Sequence, residues 1–296
     1  MENAKASGGQ FYGIAAIIIL VLTTFLGFIP ILFIGILKFF PNRRWKILCT
    51  KCVDSIASLW NTINNAYINR TQKIVWEVNG LEGLHRKNWY LVIANHQSWL
   101  DIVVLQRLFN RKTPVLKFFI KDQLKWIPFL GFAWWAMGCP FMKRYSKAYL
   151  EKKPHKKGKD LQATRKAVEL FKHTPAAVMS FVEGTRFSSQ KRKQQQSPYQ
   201  FLLKPKAGGI SFVISAMGQQ FTSLLDVTII YSNKYSLWDF LCRRINAIKV
   251  HVRHLPIPKQ FINSSLVENE SVQEEFRVWL NNSWQEKDNL IASFKA

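Results

Sequence analysis

Leu91-Val-Ile-Ala-Asn-His-Gln-Ser-Trp-Leu-Asp101 is a short apolar run that breaks into a turn and delivers His96 and Asp101, five residues apart, beyond it. The aliphatic residues after Tyr90 read as a buried strand. Trp99, Ile102, Val103 and Leu105 then recur at helical intervals, so the stretch predicts a strand giving way to a helix, with Asn95 to Ser98 as the turn. A histidine and a carboxylate so placed can activate a hydroxyl. The imidazole takes a proton from an attacking alcohol, and a carboxylate on its far nitrogen fixes the tautomer and stabilises the imidazolium. Ser98-x-x-Asp101 also fits a capping box, with Ser98 as N-cap and Asp101 returning to its backbone, which by itself requires no chemistry.

Outward from this stretch, Ile74-Val-Trp-Glu-Val78, Ala177-Val-Met-Ser-Phe181, Leu224 to Tyr231 and Ala247 to Arg253 are further β-branched or aromatic runs. Helical patterns at 99–109 and 160–173 fall between strands, which implies an α/β sheet carrying its functional residues in the loops after strands. Residues 46–70 read as a helical linker, and Ser271 to Phe294, with Phe276, Trp279, Leu280, Trp284 and Leu290, as a C-terminal helix or helix pair.

The 296 residues are enough for one sizeable domain with appendages, and 42 Lys and Arg against 18 Asp and Glu give a formal charge of +24. Such a field attracts polyanions, either nucleic acid or an anionic lipid surface. The N-terminus favours lipid. Phe11 to Ile36 contains no ionisable side chain apart from Tyr12, and about 20 apolar residues suffice to cross a bilayer core. Gly27 and Pro30 interrupt the run, which predicts one kinked span or a re-entrant hairpin. A cleaved signal peptide fits less well, since the head has one Lys offset by one Glu and no small-x-small site follows. Lys38, Arg43, Arg44, Lys46 and Lys51 follow the run against Lys5 before it, so a spanning segment would leave the bulk of the protein in the cytoplasm. Cys49 and Cys52 form a CxxC without a second pair, and Cys139 and Cys242 are isolated, so no metal site is expected.

Between Lys143 and Lys206 lie seventeen Lys or Arg and four Asp or Glu. Lys156 to Lys159 and Lys191 to Lys193 read as mobile basic loops that add electrostatic attraction to anionic lipid. The runs at Phe118 to Ile120 and Trp126 to Met137 are too apolar for an ordinary surface helix, and suit an acyl pocket or the membrane interface.

Two further blocks carry polar chemistry. Phe181-Val-Glu-Gly-Thr-Arg-Phe187 follows a strand directly; its glycine permits a tight turn and Arg186 offers a planar fork suited to phosphate. A Glu183–Arg186 pair across that turn is the plainer reading. Gly138-Cys-Pro-Phe-Met-Lys-Arg144 lies between the two outer blocks.

With these three blocks in order, the chain resembles the glycerolipid acyltransferases, the family of 1-acyl-glycerol-3-phosphate and other lysophospholipid acyltransferases. The family's Asn-His-x4-Asp falls on Asn95, His96 and Asp101; its Gly-x-x-Phe-x-x-Arg on Gly138, Phe141 and Arg144; its Glu-Gly-Thr-Arg on Glu183 to Arg186. The likeness runs from about residue 80 to the C-terminus. Val182 stands where many members have Pro, and Leu225-Asp-Val-Thr-Ile where many have a Val-Pro-Val-like block. Phe187 and Asp226-Val-Thr are instead similar to the branch holding lysocardiolipin-type and endomembrane lysophosphatidate acyltransferases, which leaves the acceptor head group open.

The resemblance implies an α/β fold with a mixed sheet flanked by helices and an N-terminal membrane-embedded helical segment. The corresponding division is a membrane anchor over 1–45, a helical linker over 46–75, the acyltransferase domain over 76–260 and a helical tail over 261–296. It implies acyl transfer from acyl-CoA or acyl carrier protein, with no cofactor, to the free hydroxyl of a lysophospholipid, lysophosphatidic acid first and lysophosphatidylglycerol or lysocardiolipin as alternatives. His96 would be the base and Asp101 its orienting carboxylate. Backbone amides near Gly184 or after Ser98 would hold the oxyanion. Arg186 and Arg144, with Lys143, would bind the acceptor phosphate, beside Gly184 and Thr185, and Glu183 would bind a glycerol hydroxyl or orient an arginine. An acyl-enzyme on Ser98 is the rival route, but no Gly-x-Ser-x-Gly elbow occurs. A nucleic-acid-binding protein would explain the charge, yet no recognition module is present. A silent lipid-binding scaffold would not need every polar member of the three blocks.

Overall fold

The structure is a computed structural model and describes residues 2–139, 141–142, 171, 174–262, 266 and 269–295. Over these residues we number helices α1 (Glu2–Leu37), α2 (Arg43–Thr71), α3 (Leu100–Phe109), α4 (Leu130–Ala136), α5 (Ser189–Gln194), α6 (Ala207–Met217), α7 (Leu237–Leu241) and α8 (Glu270–Lys295). The strands are β1 (Val75–Asn79), β2 (Tyr90–Ala94), β3 (Leu116–Phe118), β4 (Ile120–Lys121), β5 (Phe141–Met142), β6 (Ala177–Phe181), β7 (Ser223–Tyr231) and β8 (Ala247–Leu255).

Six strands form one mixed sheet in the order β1-β8-β7-β2-β6-β3. Every neighbouring pair is parallel except β7 with β8. Tyr90 to Ala94 of β2 are buried throughout because this strand lies at the centre and is covered on both faces, which explains its unalternating apolar sequence. On one face α3 and the Tyr90, Val92, Val227, Ile229 and Tyr231 side chains form a core; on the other, Leu91, Ile93, Ile214, Phe276 and Trp284 join α6 and α8.

Because Ala94 pairs with Phe181, the loops leaving β2 and β6 emerge side by side at the carboxyl end of the sheet. In open α/β sheets that edge is where ligands gather.

Helix α1 is continuous through Gly27 and Pro30, so the hairpin at this end of the chain is the α1–α2 pair and not a turn within the apolar run. It packs along its length. Gly13 lies so close to α7 that a Cβ there would sit 2.6 Å from the Cys242 sulfur, and one at Gly35 would sit 2.6 Å from the Phe132 ring of α4. Between them Thr23 donates to Asn64 of α2 at 3.3 Å. The opposite side of α1 exposes Phe11, Ile14, Ile18, Val21, Phe25, Ile29, Phe33 and Ile36. Residues 46–70 are helical as expected, and lie within α2, which packs against α1.

Lys38 Nζ donates to Ala136 O at 2.7 Å, and Lys117 Nζ donates to Met137 O at 2.6 Å while pairing with Asp54 of α2. These ammonium groups meet the carbonyl end of α4, where a cation is favoured, and anchor the approach to Gly138. Lys191 to Lys193 fall in α5, capped by Ser188. Apart from Phe171, the helical expectation at 160–173 and the loop Lys156 to Lys159 lie outside the described residues.

Candidate active site

The loop after β2 is held from two sides. Asn95, 1% exposed, pairs with both backbone groups of Ile229 on β7, accepting its N–H at 2.8 Å and donating to its carbonyl at 2.9 Å. Gln97 Nε2 donates to the same carbonyl at 2.8 Å. On the other side Phe187 N donates to His96 O at 2.7 Å, tying the loop to the segment after β6.

Within this frame His96 Nδ1 lies 2.8 Å from Asp101 Oδ2. Gln97 N and Ser98 N donate to that same oxygen at 2.6 and 2.8 Å, and the Tyr231 hydroxyl donates to Oδ1 at 2.7 Å. Asp101 thus performs both tasks its spacing allows. It orders the turn through two amides and holds the imidazole through its remaining lone pairs. Ser98 Oγ accepts from Leu100 N at 3.2 Å in the turn before α3, whose N-cap position falls on Trp99 and not on Ser98. Because Asp101 engages Nδ1, a neutral His96 carries its proton there and leaves Nε2 as the basic nitrogen. Among the described residues Nε2 has no partner. The ring stacks on Phe181 with centroids 3.9 Å apart, which fixes its plane.

His96 forms part of the wall of a cleft of about 260 Å³, together with Trp99, Phe118, Lys121, Met179, Gly184, Thr185 and Arg186. The β6 loop turns at Gly184 with φ +71°, a left-handed conformation that suits glycine. Gly184 N closes that turn onto Phe181 O at 2.9 Å. The Thr185 and Arg186 amides after it are left without acceptors among the described residues. At the start of α3 the amides of Gln97 and Ser98 are committed to Asp101, Leu100 N to Ser98 Oγ, Asp101 N to Ser98 O and Ile102 N to Trp99 O, which leaves Trp99 N as the one amide there without an acceptor among the described residues. Arg186 is exposed and lies over the Trp99 ring at 5.0 Å, so an indole, not Glu183, sets its direction.

Glu183 faces inward. It is fully buried, and its two oxygens accept His96 N at 3.1 Å and Leu203 N at 3.0 Å. Neither a hydroxyl-binding role nor a pair with Arg186 fits this position, because the β6 backbone turn sends residues 184 to 186 toward the cleft and Glu183 behind it. Burial pushes its carboxyl up to about 8, against the pull of the two amides and of Lys287. Gly138 and Phe141 precede Arg144, but Lys143 and Arg144 lie outside the described residues. Sequence reasoning passed over Lys121 in the cleft wall and Lys191, whose Nζ donates to Thr185 Oγ1 at 2.7 Å and to Arg186 O at 3.1 Å. It also passed over Tyr231. A cation cluster in a basic chain carries little signal, and Tyr231 meets Asp101 across 130 residues.

A family model described as acyltransferase matches residues 75–232. Mouse 1-acyl-sn-glycerol-3-phosphate acyltransferase epsilon is 26% identical over 227 residues, covering 69% of this chain and 57% of that protein. The Saccharomyces cerevisiae 1-acyl-sn-glycerol-3-phosphate acyltransferase is 33% identical over 145 residues, or 48% of this chain and 43% of that one. Mouse lysocardiolipin acyltransferase 1 is 24% identical over 69% of this chain and 54% of its own length. The chain thus spans about half the length of these curated relatives. The crystal structure of the 1-acyl-sn-glycerophosphate (LPA) acyltransferase PlsC from Thermotoga maritima superposes with a TM-score of 0.58 at 16% identity, covering 97% of this chain and 98% of that one. That likeness is one of fold.

Proposed function

This chain belongs to the acyltransferase family, and from that premise we propose that it is a membrane-attached O-acyltransferase moving a fatty acyl group from a thioester donor, acyl-CoA or acyl carrier protein, to the free hydroxyl of a lysophospholipid, lysophosphatidic acid foremost. The observation that carries the reading is the 2.8 Å His96–Asp101 contact set in the wall of a cleft that also holds Arg186 and Lys121. Acid–base function and anion binding share one cavity.

In the proposed reaction His96 Nε2 takes the proton of the acceptor hydroxyl as its oxygen attacks the thioester carbonyl. Asp101 stabilises the imidazolium, and general-base help of this kind is worth about 10² to 10⁴ in rate. The Thr185 and Arg186 amides stand where developing oxyanion charge can be met. The carbon–sulfur bond then breaks, and the imidazolium returns its proton to the departing thiolate. Arg186 and Lys121, with Lys143 and Arg144 as further candidates, would bind the acceptor phosphate. Ser98 Oγ takes the Leu100 amide and makes no bond to His96 among the described residues, which supports direct transfer over an acyl-enzyme.

Attachment would reside in α1, whose segment Gly9–Leu37 is long and apolar enough to cross a membrane. Its contacts favour a different placement. Gly13 meets α7 and Gly35 meets α4, about 33 Å apart along the helix axis. A perpendicular span would draw α7, with Arg243 and Arg244 beside it, through the bilayer. Lying in one leaflet with its exposed apolar stripe toward lipid avoids that cost.

The test is to incubate detergent-purified protein with labelled acyl-CoA and a panel of lysophospholipids, identifying products by mass spectrometry. Acylated product from wild type and none from His96→Ala supports the reading. Equal product from both would overturn it, and thioester binding without consumption would indicate a scaffold. Preference for lysophosphatidylglycerol or lysocardiolipin would reassign the acceptor, a point left open by the Asp226-Val-Thr likeness.

A further inference from the structure

Asp101 uses its two carboxylate oxygens unequally. Oδ2 serves His96 and the turn amides of Gln97 and Ser98, whereas among the described residues Oδ1 has one donor, the Tyr231 hydroxyl at 2.7 Å. Tyr231 ends β7, two residues beyond Ile229, which Asn95 and Gln97 clamp. Its side chain is buried beside β2 on the α3 face of the sheet, and it touches no wall of the cleft. Both Asp101 and Tyr231 are withdrawn from water, so a hydroxyl donating to a carboxylate there is a charge-assisted bond in a poorly screened setting.

We propose that Tyr231 is a positioning residue for acyl transfer: by donating to Asp101 Oδ1 it locks the carboxylate with Oδ2 toward His96 and draws off part of its negative charge, which sets how strongly the carboxylate stabilises the imidazolium. The inference rests on His96 being the base. Four further titratable groups bear on the pair among the described residues. Glu183 reaches the His96 backbone from the β6 loop, Lys287 acts on Glu183 from α8, and Arg186 and Lys121 face the cleft. None of them donates to Oδ1. Burial and the adjacent carboxylate keep the Tyr231 phenol protonated far above its ordinary range, so it stays a donor at all working pH values.

The sign follows from the charge. An imidazolium is stabilised by the carboxylate in proportion to the charge that carboxylate keeps. Removing the donor restores that charge and strengthens the carboxylate's hold on the imidazolium. Tyr231→Phe should therefore move the acid limb of the kcat/KM profile upward by about half a pH unit. It should lower kcat about tenfold through the loosened carboxylate, with KM for donor and acceptor unchanged. Site-specific 3-fluorotyrosine at 231, a more acidic phenol in the same shape, should move the limb the other way, and it decides the matter if the phenylalanine variant does not fold.

Profiles of wild type, both variants and His96→Ala, measured with labelled acyl-CoA and the preferred lysophospholipid, settle it. Opposite shifts of the acid limb in the two Tyr231 variants support the inference. Unshifted limbs in both, whatever the melting temperatures, would overturn it while leaving the proposed function intact. Full activity in His96→Ala would overturn both.

Discussion

Asp101 holds a turn and an imidazole with one carboxylate, so its replacement affects two quantities at once. Asp101→Asn presents an amide nitrogen to groups that all donate, and we expect a rate at least 100-fold lower together with a stability loss of about 1–3 kcal/mol. Initial rates and melts on one sample separate these; a stability loss with an unchanged rate would reduce Asp101 to a cap. Glu183 gives a prediction of pH dependence. Its folded carboxyl titrates at about 8 against an ordinary value of 4.5, so between those values the folded protein binds more protons than the unfolded chain, and stability falls as pH rises through the window. The midpoint should drop by on the order of 5 °C from pH 5 to 8.5. Glu183→Gln should be less stable but flat over that range, and an equal slope in the variant would show that other groups set it. Arg186→Ala should weaken acceptor use about 10- to 100-fold, with donor KM unchanged and Arg186→Lys recovering part; a loss confined to the donor would move Arg186 to the thioester. At this scale His96, Asp101 and Arg186 were legible because each motif is local. The inward turn of Glu183 was not, since its partner His96 lies 87 residues away in sequence.

Asp226 shows how an element is held by one charge. It is fully buried on β7, pairs with Lys287 of α8 at 2.6 Å and with Arg253 of β8, and Lys287 also donates to Val227 O. Burial lowers the Lys287 ammonium from its ordinary range, while Asp226 opposes that shift. Removing one partner of such a cluster strands the other. Asp226→Asn leaves two cations under α8 and should cost about 3–5 kcal/mol. Lys287→Met should cost less, because Asp226 keeps Arg253. Denaturant titration of the two variants checks the order, and a larger loss for Lys287→Met would refute it. The strands β2, β6 and β7 were legible as largely apolar buried runs of five to nine residues, and β8 because its apolar and polar residues alternate. Helix α6 was not, since it starts at Ala207-Gly-Gly and then runs apolar on most sides. Strands β3 to β5, of two or three residues, are too short to show a period.

For the whole molecule, the sequence fixes how apolar α1 is but not its tilt, because a spanning and an in-plane helix need the same composition. Packing against α7, α2 and α4 is what distinguishes them. With the native cysteines replaced, Gln10→Cys and Asn42→Cys should both label from the same face of sealed vesicles, and labelling from opposite faces would show a crossing. High salt should leave the full-length chain on membranes, since burial of an apolar stripe is insensitive to screening; complete release would place attachment in the basic surface alone. The sheet order also has a consequence in time. β1 pairs with β8, and the His96 loop is clamped by Ile229 and braced by Tyr231. A ribosome adding about 5–20 residues per second needs on the order of 10 s to travel from the histidine to the tyrosine that seats it. Through that interval α1 has already emerged, so under the proposed attachment a nascent chain would be moored before it is able to act, and its last strands would find their places on that same surface.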